Sequence, residues 1–276
     1  MSFAVGIVGL PNVGKSTLFQ ALTKRQVAIA SYPFTTIEPN VAVVAVPDET
    51  LQKIAKLFTP EKVTPTTIEF IDIAGLVKNA HEGAGLGNQF LAKIREVDLL
   101  LEVVRTFQDE TIPHVEGVVD PDRDIQIIKE ELAAAEIEKP ILRVYNGPST
   151  PLRSAQGIIS PELVEGSTTI SVDLAANPPL DDLIQRAYQT LDLLTFYTVK
   201  GGKEIRAWTL KRGSGILDAA GKVHTDFKEK FIRAEVIEAE KLLEAGSWQK
   251  AREHGWLRTE GKTYSVQNGD VIEFKI

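Results

Sequence analysis

The feature that most constrains this fold is an eight-residue run near the N-terminus that satisfies the pattern G-x-x-x-x-G-K-[ST]. The run reads GLPNVGKS over Gly9–Ser16, between an apolar stretch and a stretch with helical spacing. Glycines let the backbone N–H groups of such a loop turn toward one anion, and the helix that follows points its positive end to the same place. The run therefore predicts a strand, a phosphate-binding loop and a helix.

Two side chains of this loop have expected roles beyond the backbone. Lys15 would neutralise the β and γ phosphates of a nucleotide, and the Ser16 hydroxyl would bind Mg²⁺. The residues expected to surround the phosphates are Asn12, Val13, Gly14, Lys15, Ser16 and Thr17.

A second pattern, D-x-x-G over Asp72–Gly75, follows a predicted strand and would sense the γ-phosphate. The Asp72 carboxylate is expected to reach Mg²⁺ through water, and the Gly75 N–H to contact the γ-phosphate. Between the two motifs lies a polar segment with two prolines, residues 32–40, which suits a switch loop. The hydroxyl of either Thr35 or Thr36 could complete the Mg²⁺ shell.

Apolar runs alternate with amphipathic stretches in the first 192 residues, which predicts an α/β domain with helices on both faces of a mainly parallel sheet. Residues 147–168 are rich in Gly, Pro, Ser and Thr, so we expect a flexible or inserted segment there. Residues 193–276 predict a small α+β domain with two hairpins, around Gly201-Gly202 and Asn268-Gly269. The predicted strands are Phe3–Val8, Val41–Val46, Thr67–Ile73, Asp98–Val104 and Ile141–Tyr145, and the predicted helices include Lys15–Arg25, Asp48–Phe58, Leu86–Glu96 and Arg123–Glu138.

Composition excludes several classes of protein. The chain has no cysteine, which excludes disulfides and thiolate metal sites, and its 43% hydrophobic and 25% charged residues are typical of a globular protein. No apolar run is long enough to span a membrane, so we expect a cytoplasmic chain without a membrane partner. The net charge is −7, but residues 193–276 carry 15 basic and 12 acidic residues. That module could therefore contact RNA, whereas DNA binding by the whole chain is not expected.

Four runs together resemble the Obg-like ATPase (YchF) subfamily of translation-factor-related P-loop NTPases. They are GLPNVGKST over Gly9–Thr17, PFTTIEPN over Pro33–Asn40, DIAGLV over Asp72–Val77 and GLGNQF over Gly85–Phe90. The runs Arg206–Trp208 and Ala220–Ala234 resemble its C-terminal TGS domain. The resemblance implies ATP, or GTP, as the substrate, Mg²⁺ as the cofactor and the ribosome as the partner, which the TGS domain could contact through rRNA. We expect a monomer.

The resemblance also implies which residues act in catalysis. Thr36 would be the switch threonine that coordinates Mg²⁺, beside the phosphate contacts of Lys15 and Gly75. Ras-type enzymes orient the attacking water with a Gln after the D-x-x-G glycine, but Leu76 occupies that position here. The subfamily has a catalytic histidine at the position of His114, whose imidazole could orient or deprotonate water near neutral pH.

Three further points concern ions, the base and an absent element. In some related NTPases an asparagine at the Asn12 position supports K⁺, so stimulation by K⁺ is a hypothesis. The subfamily's base motif N-x-x-E begins at Asn146, but Ser149 replaces its acid; a hydroxyl cannot give guanine two ionised acceptors. The subfamily's coiled-coil arm is also missing, because the chain passes directly from Glu138 to Pro140 and the next strand.

The sequence therefore predicts a nucleotide-dependent switch that hydrolyses ATP and binds the ribosome. Two alternatives stay open. The chain could be a ribosome-binding module that holds nucleotide without significant turnover, or a switch driven by GTP.

Overall fold

The computed structural model describes residues 3–26, 39–73, 86–148, 152–154, 157–159 and 168–276. Its strands are β1 (Phe3–Val8), β2 (Val41–Ala45), β3 (Lys62–Thr64), β4 (Thr67–Asp72), β5 (Leu99–Arg105), β6 (Ile141–Asn146), β7 (Leu152–Ser154), β8 (Gly157–Ile159), β9 (Thr168–Val172), β10 (Leu193–Lys200), β11 (Glu204–Lys211), β12 (Arg233–Glu238), β13 (Arg258–Glu260) and β14 (Asp270–Lys275). Its α-helices are α1 (Lys15–Thr23), α2 (Glu49–Phe58), α3 (Leu86–Glu96), α4 (Pro121–Ala134), α5 (Asp181–Thr190), α6 (Ile216–Val223), α7 (Thr225–Glu229), α8 (Ala239–Ala245) and α9 (Trp248–Glu253).

The chain divides into two compact units, and the division is not a single cut. The first unit contains Met1–Ala45 and Thr67–Leu191, and the second contains Val46–Thr66 and Asp192–Ile276. The sequence predicted one boundary near residue 192. The structure also assigns residues 46–66, which precede that boundary, to the second unit.

The first unit contains a six-stranded sheet in the order β2-β4-β1-β5-β6-β9. Strands β4, β1, β5, β6 and β9 are parallel, and the edge strand β2 is antiparallel to β4. All seven residues of β5 are buried, as expected for a central parallel strand covered on both faces. Because parallel strands end at one edge, the segments that follow β1, β4, β5, β6 and β9 meet there. The predicted α/β fold is confirmed.

Local sequence signals start two of the helices. The Asp48 side chain accepts a hydrogen bond from the Leu51 N–H and begins α2. Asp120 does the same for the Arg123 N–H at α4, where Pro121 occupies the first turn. An N-terminal carboxylate satisfies a free N–H and complements the helix dipole.

The second unit contains another six-stranded sheet, in the order β13-β12-β14-β10-β11-β3. Strands β10 and β11 form the predicted hairpin, from Leu193 opposite Lys211 to Lys200 opposite Glu204. Residues 46–66 contribute β3, which pairs parallel to β11 at the edge of this sheet. The same residues contain helix α2, which buries Leu51 and Ile54 in one core with Tyr197 and Leu242.

Two predictions of local structure need correction. The hairpin predicted around Asn268-Gly269 is wrong, because the segment before Asn268 does not pair with β14, which lies between β12 and β10. The Asn268 side chain instead accepts a hydrogen bond from the Thr195 N–H. Helix α4 ends at Ala134, four residues before its predicted end. Within residues 147–168, where the sequence predicted a flexible or inserted segment, β7 and β8 pair antiparallel.

Among the helices of the described ranges, none has both the length and the apolar character that crossing a lipid bilayer requires.

Candidate functional site

The phosphate loop connects β1 to α1 and depends on its two glycines. Gly9 and Gly14 have φ of 146° and 108°, a region that strongly favours glycine. A Cβ on Gly9 would lie 2.5 Å from the Val103 carbonyl oxygen, and one on Gly14 would collide with the Asn146 side chain. The glycines therefore allow the loop to fold tightly against the ends of β5 and β6.

Lys15 is buried at the start of α1, with 9% of its surface exposed. Its Nζ donates hydrogen bonds to the carbonyl oxygens of Gly9 and Leu10, at 3.0 and 2.7 Å. Burial lowers the pKa of Lys15 to about 8, against the attraction of Asp72, which raises it. An ammonium group held by neutral carbonyls in a partly dry site favours an anion nearby.

Asp72 ends β4 and lies opposite Ile7 of β1, so the sheet register brings it next to the phosphate loop. Burial raises the pKa of its carboxyl group, and the charge of Lys15 lowers it. Ser16 is exposed in the first turn of α1. No group of three or more His, Cys, Asp or Glu side chains suited to a metal occurs in the described part of the chain. A hydroxyl and one carboxylate nevertheless fit Mg²⁺, which usually takes its other ligands from phosphates and water.

The other predicted sensors of the γ-phosphate lie outside the described residues. Thr36 falls in the segment 27–38, as does Thr35, and Gly75 falls in the segment 74–85, as does Leu76. Their predicted roles remain predictions.

A cavity of about 570 Å³ opens beside the phosphate loop. Of the residues predicted to bind nucleotide, all except Val13 line it; the Val13 side chain is buried in the core. The lining comes from four segments that the sheet edge brings together, namely Asn12 with Gly14–Thr17, then Phe107, Asp109 and Ile112, then Asn146–Pro148, and Asp173–Ala175.

Asn146 joins three of these segments. Its Nδ2 donates to the Val13 carbonyl oxygen at 2.9 Å, and its Oδ1 accepts from the Leu174 N–H at 3.2 Å. The side chain is 5% exposed. Both ends of the amide are therefore bonded to backbone, and Asn146 positions the phosphate loop and the 173–175 segment against each other.

The loop after β5 is held by Arg105, a residue that belongs to none of the sequence motifs. Arg105 is 1% exposed, and its guanidinium donates to the carbonyl oxygens of Phe107, Asp109 and Ile112. The same group lies 4.5 Å from the centre of the Phe107 ring. These three acceptors bracket the part of the loop that lines the cavity. A buried arginine at the end of an apolar strand was the available signal for this role.

His114 lies farther along this loop and is buried rather than exposed to the cavity. Its Nε2 is 2.9 Å from the Asp124 carboxylate, and the Glu116 N–H donates to its Nδ1 at 3.2 Å. The two side chains are 2% and 3% exposed. This arrangement places the proton on Nε2 and occupies both ring nitrogens. One link to the phosphate loop is present, because the Asn12 Nδ2 donates to the carbonyl oxygen of Pro113, the neighbour of His114.

The second unit has a separate cavity of about 580 Å³. The Arg206 guanidinium stacks 3.9 Å above the Trp208 ring on its wall. The indole N–H of Trp208 donates to the Thr198 hydroxyl at 2.9 Å, which fixes the ring.

Comparisons with known proteins match both units. A family described as "50S ribosome-binding GTPase" matches residues 4–147, and the YchF C-terminal family, described as a protein of unknown function (DUF933), matches residues 193–276. Proteins named ribosome-binding ATPase YchF match from Mycoplasma genitalium, at 38% identity over 99% of this chain and 98% of the relative, and from Bacillus subtilis, at 37% over 100% and 99%. The structure of the Schizosaccharomyces pombe YchF GTPase is similar, with a TM-score of 0.81, 30% identity and coverage of 99% and 98%.

The alignments also reveal a large internal difference in length. The alignment with the Mycoplasma genitalium relative spans 362 positions, 86 more than the 276 residues of this chain. The relative therefore has at least that many residues without a counterpart here. Six residues connect α4 to β6, so no inserted arm is present at that connection.

Proposed function

The chain belongs to the YchF family, and from that premise we propose that it is a Mg²⁺-dependent nucleotide hydrolase that binds the ribosome and converts ATP to ADP and phosphate. The observation that carries the proposal is the buried Lys15 in a glycine-dependent loop beside Asp72. Such a cation is stabilised once a triphosphate lies next to it.

In this proposal the chain's own residues bind and orient the triphosphate. The amides of residues 12–17 contact the phosphates, Lys15 moves from the Gly9 and Leu10 carbonyls to the β and γ phosphates, and Arg105 holds the loop that lines the rest of the cavity. Ser16 and Asp72 would hold Mg²⁺, which supplies positive charge against the developing phosphate charge when bound. Thr36 and Gly75 carry the switch role that the family resemblance implies.

His114 is proposed to act on the attacking water, which requires a free ring nitrogen. Both ring nitrogens are occupied by Asp124 and by the Glu116 N–H. The imidazole must therefore leave at least one of these partners before it can bond to water. Gly117, with φ of 79° and open space around its Cα, gives the loop a residue that tolerates such a rearrangement.

The ribosome is proposed as the partner because the related proteins of Mycoplasma genitalium and Bacillus subtilis are named ribosome-binding ATPases. The second unit supports contact with rRNA, since residues 193–276 have 15 basic against 12 acidic residues. The Arg206 and Trp208 pair adds a cation and an aromatic face on one wall, the combination on which nucleic-acid bases stack. A ribosomal partner would place the protein in the cytoplasm.

The alternative is a nucleotide-holding module without significant turnover, and the enclosed His114 favours it. Single-turnover hydrolysis of ATP, with and without purified ribosomal subunits, separates the two. The hydrolase proposal expects phosphate release that ribosomal subunits accelerate, and no release in either condition would support the alternative. Repeating the assay in K⁺ and in Na⁺ tests the proposed stimulation through Asn12, and equal rates would refute it.

A further inference from the structure

The base motif that begins at Asn146 lacks the acid that a guanine-selective motif would provide. Ser149 stands at that position of the sequence and lies outside the described residues. Yet the cavity contains two carboxylates, Asp109 and Asp173. We propose that Asp173 replaces the missing acid and selects adenine by accepting a hydrogen bond from its 6-amino group. This inference rests on the proposed nucleotide site and adds the residue that determines its base specificity.

The register of the sheet fixes Asp173 next to the start of the base motif. Val172, the last residue of β9, pairs with Asn146, the last residue of β6. The Leu174 N–H then donates to the Asn146 side chain, which is itself bonded to Val13 in the phosphate loop. Asp173 lies between these two tethered positions. Its carboxylate is thus held on rigid elements at the edge where nucleotides bind in parallel sheets.

The two oxygens of Asp173 differ, because one of them is already bonded to the backbone. Oδ1 accepts a hydrogen bond from the Ala175 N–H at 3.1 Å, at the start of a short 3-10 turn over Leu174–Ala176. Oδ2 makes no hydrogen bond to any part of the protein that the structure describes. At Asp173 the site therefore offers one oxygen without a bonded partner among the described residues, whereas bidentate recognition uses both oxygens of one carboxylate.

A single acceptor suits adenine and opposes guanine. Adenine presents an amino donor at position 6, whereas guanine presents a carbonyl oxygen there, and its N1–H and 2-amino donors need both oxygens of a carboxylate. A carboxylate next to the guanine carbonyl would bring two acceptors together without a proton between them. The cost of such an unpaired polar contact is what gives hydrogen-bonding sites their selectivity.

The substitution Asp173→Asn tests this role while it preserves the local fold. The asparagine Oδ1 can still accept from the Ala175 N–H, since asparagine is as good a capping residue as aspartate. Its amide nitrogen replaces the free oxygen and donates instead of accepting. We expect the ratio of ADP to GDP affinity, measured by calorimetry with Mg²⁺, to fall about tenfold or more. Asp109→Asn, the matched control on the other carboxylate, should leave that ratio unchanged.

A second measurement needs no variant. Inosine diphosphate differs from ADP by a carbonyl oxygen in place of the 6-amino group and lacks the 2-amino group of guanine. The wild-type chain should bind it about as weakly as GDP. Equal affinity for inosine diphosphate and ADP would overturn the inference, as would tighter binding of GDP or an unchanged ratio in Asp173→Asn. If the wild-type chain binds none of the three nucleotides, the proposed nucleotide site itself fails, which is a different result.

Discussion

Two cations of the first unit are almost equally buried but differ in what neutralises them. Lys15 is 9% exposed and Arg143 is 8% exposed. The Arg143 Nε lies 2.6 Å from the Glu102 carboxylate, whereas the described hydrogen bonds of Lys15 go to carbonyl oxygens. Arg143 is thus compensated within the fold, while Lys15 keeps its charge available to a ligand. Burial alone does not identify a functional charge; at Lys15 the distinguishing feature is that a buried ammonium group without a bonded carboxylate lies in the phosphate loop.

The pKa values of the two regions reflect this difference. Burial raises the pKa of Glu102, and Arg143 lowers it through its charge and its hydrogen bond. Burial lowers the pKa of Lys15 to about 8, and the opposing attraction of Asp72 does not restore it. A folded protein that keeps Lys15 charged in this position bears a cost that a bound phosphate removes.

The largest expected effect comes from removing one partner of the buried ion pair between Glu102 and Arg143. Glu102→Ala leaves Arg143 without its bonded carboxylate, so the free energy of unfolding should fall by about 3–5 kcal/mol, measured by chemical denaturation. The affinity for Mg-ADP should stay close to that of the wild type. The double substitution Glu102→Leu with Arg143→Met should restore most of the stability, because removing both charges avoids an unpaired one. A single variant as stable as the wild type would contradict this assignment.

At Lys15 we expect the reverse: a large loss of nucleotide affinity and a small loss of stability. Lys15→Ala should weaken ATP binding roughly 100-fold or more, since a buried charge-assisted contact to the phosphates is lost. Its free energy of unfolding should fall by no more than about 1 kcal/mol, because the desolvation cost of the ammonium group disappears as well. Calorimetry and denaturation on the same samples give both numbers, with Lys24→Ala, an exposed neighbour, as the control. Wild-type affinity in Lys15→Ala would remove the basis of the proposed function.

A pH series sharpens the comparison further. Lys15 has a pKa of about 8 in the free protein, and a triphosphate beside it raises that pKa. ATP affinity should therefore change little between about pH 7 and pH 8 and should fall above pH 8, by up to about tenfold per pH unit. Adenosine monophosphate lacks the β and γ phosphates and should not show this slope. A flat ATP profile between pH 8 and 9 would mean that Lys15 does not titrate there.

The smallest expected effect tests whether His114 has a catalytic role, like Lys15, or a structural role, like Arg143. It resembles Arg143 in being bonded to a buried carboxylate, that of Asp124. If it is also catalytic, His114→Ala should lower single-turnover hydrolysis severalfold, which is less than the loss usual for a general base, with ATP affinity nearly unchanged. His254→Ala in the second unit serves as the control. Unchanged turnover, together with lower stability, would place His114 with the structural pairs.

Much of the site was predictable because its signals are local. The phosphate loop, the strand before it and the carboxylate at the end of β4 lie within short runs of the chain, and the structure has them at one sheet edge. Arg105 and Asp124 were not predicted, since their roles depend on acceptors and donors that only the folded loop brings into reach. The hairpin predicted around Asn268 failed for the same reason: β14 pairs with β10 and β12, far away in sequence.

The amino-acid sequence by itself determined the phosphate loop and the alternation of strands and helices, because glycine conformation and hydrophobic spacing act over a few residues. Tertiary structure alone decided the rest. Residues 46–66 belong to the second unit, where Lys62 pairs with Glu204. Lys15 and Arg143 are buried to nearly the same degree but have different partners. These outcomes depend on contacts between distant segments, whose free energies are set by burial and desolvation in the packed fold rather than by neighbours in the chain.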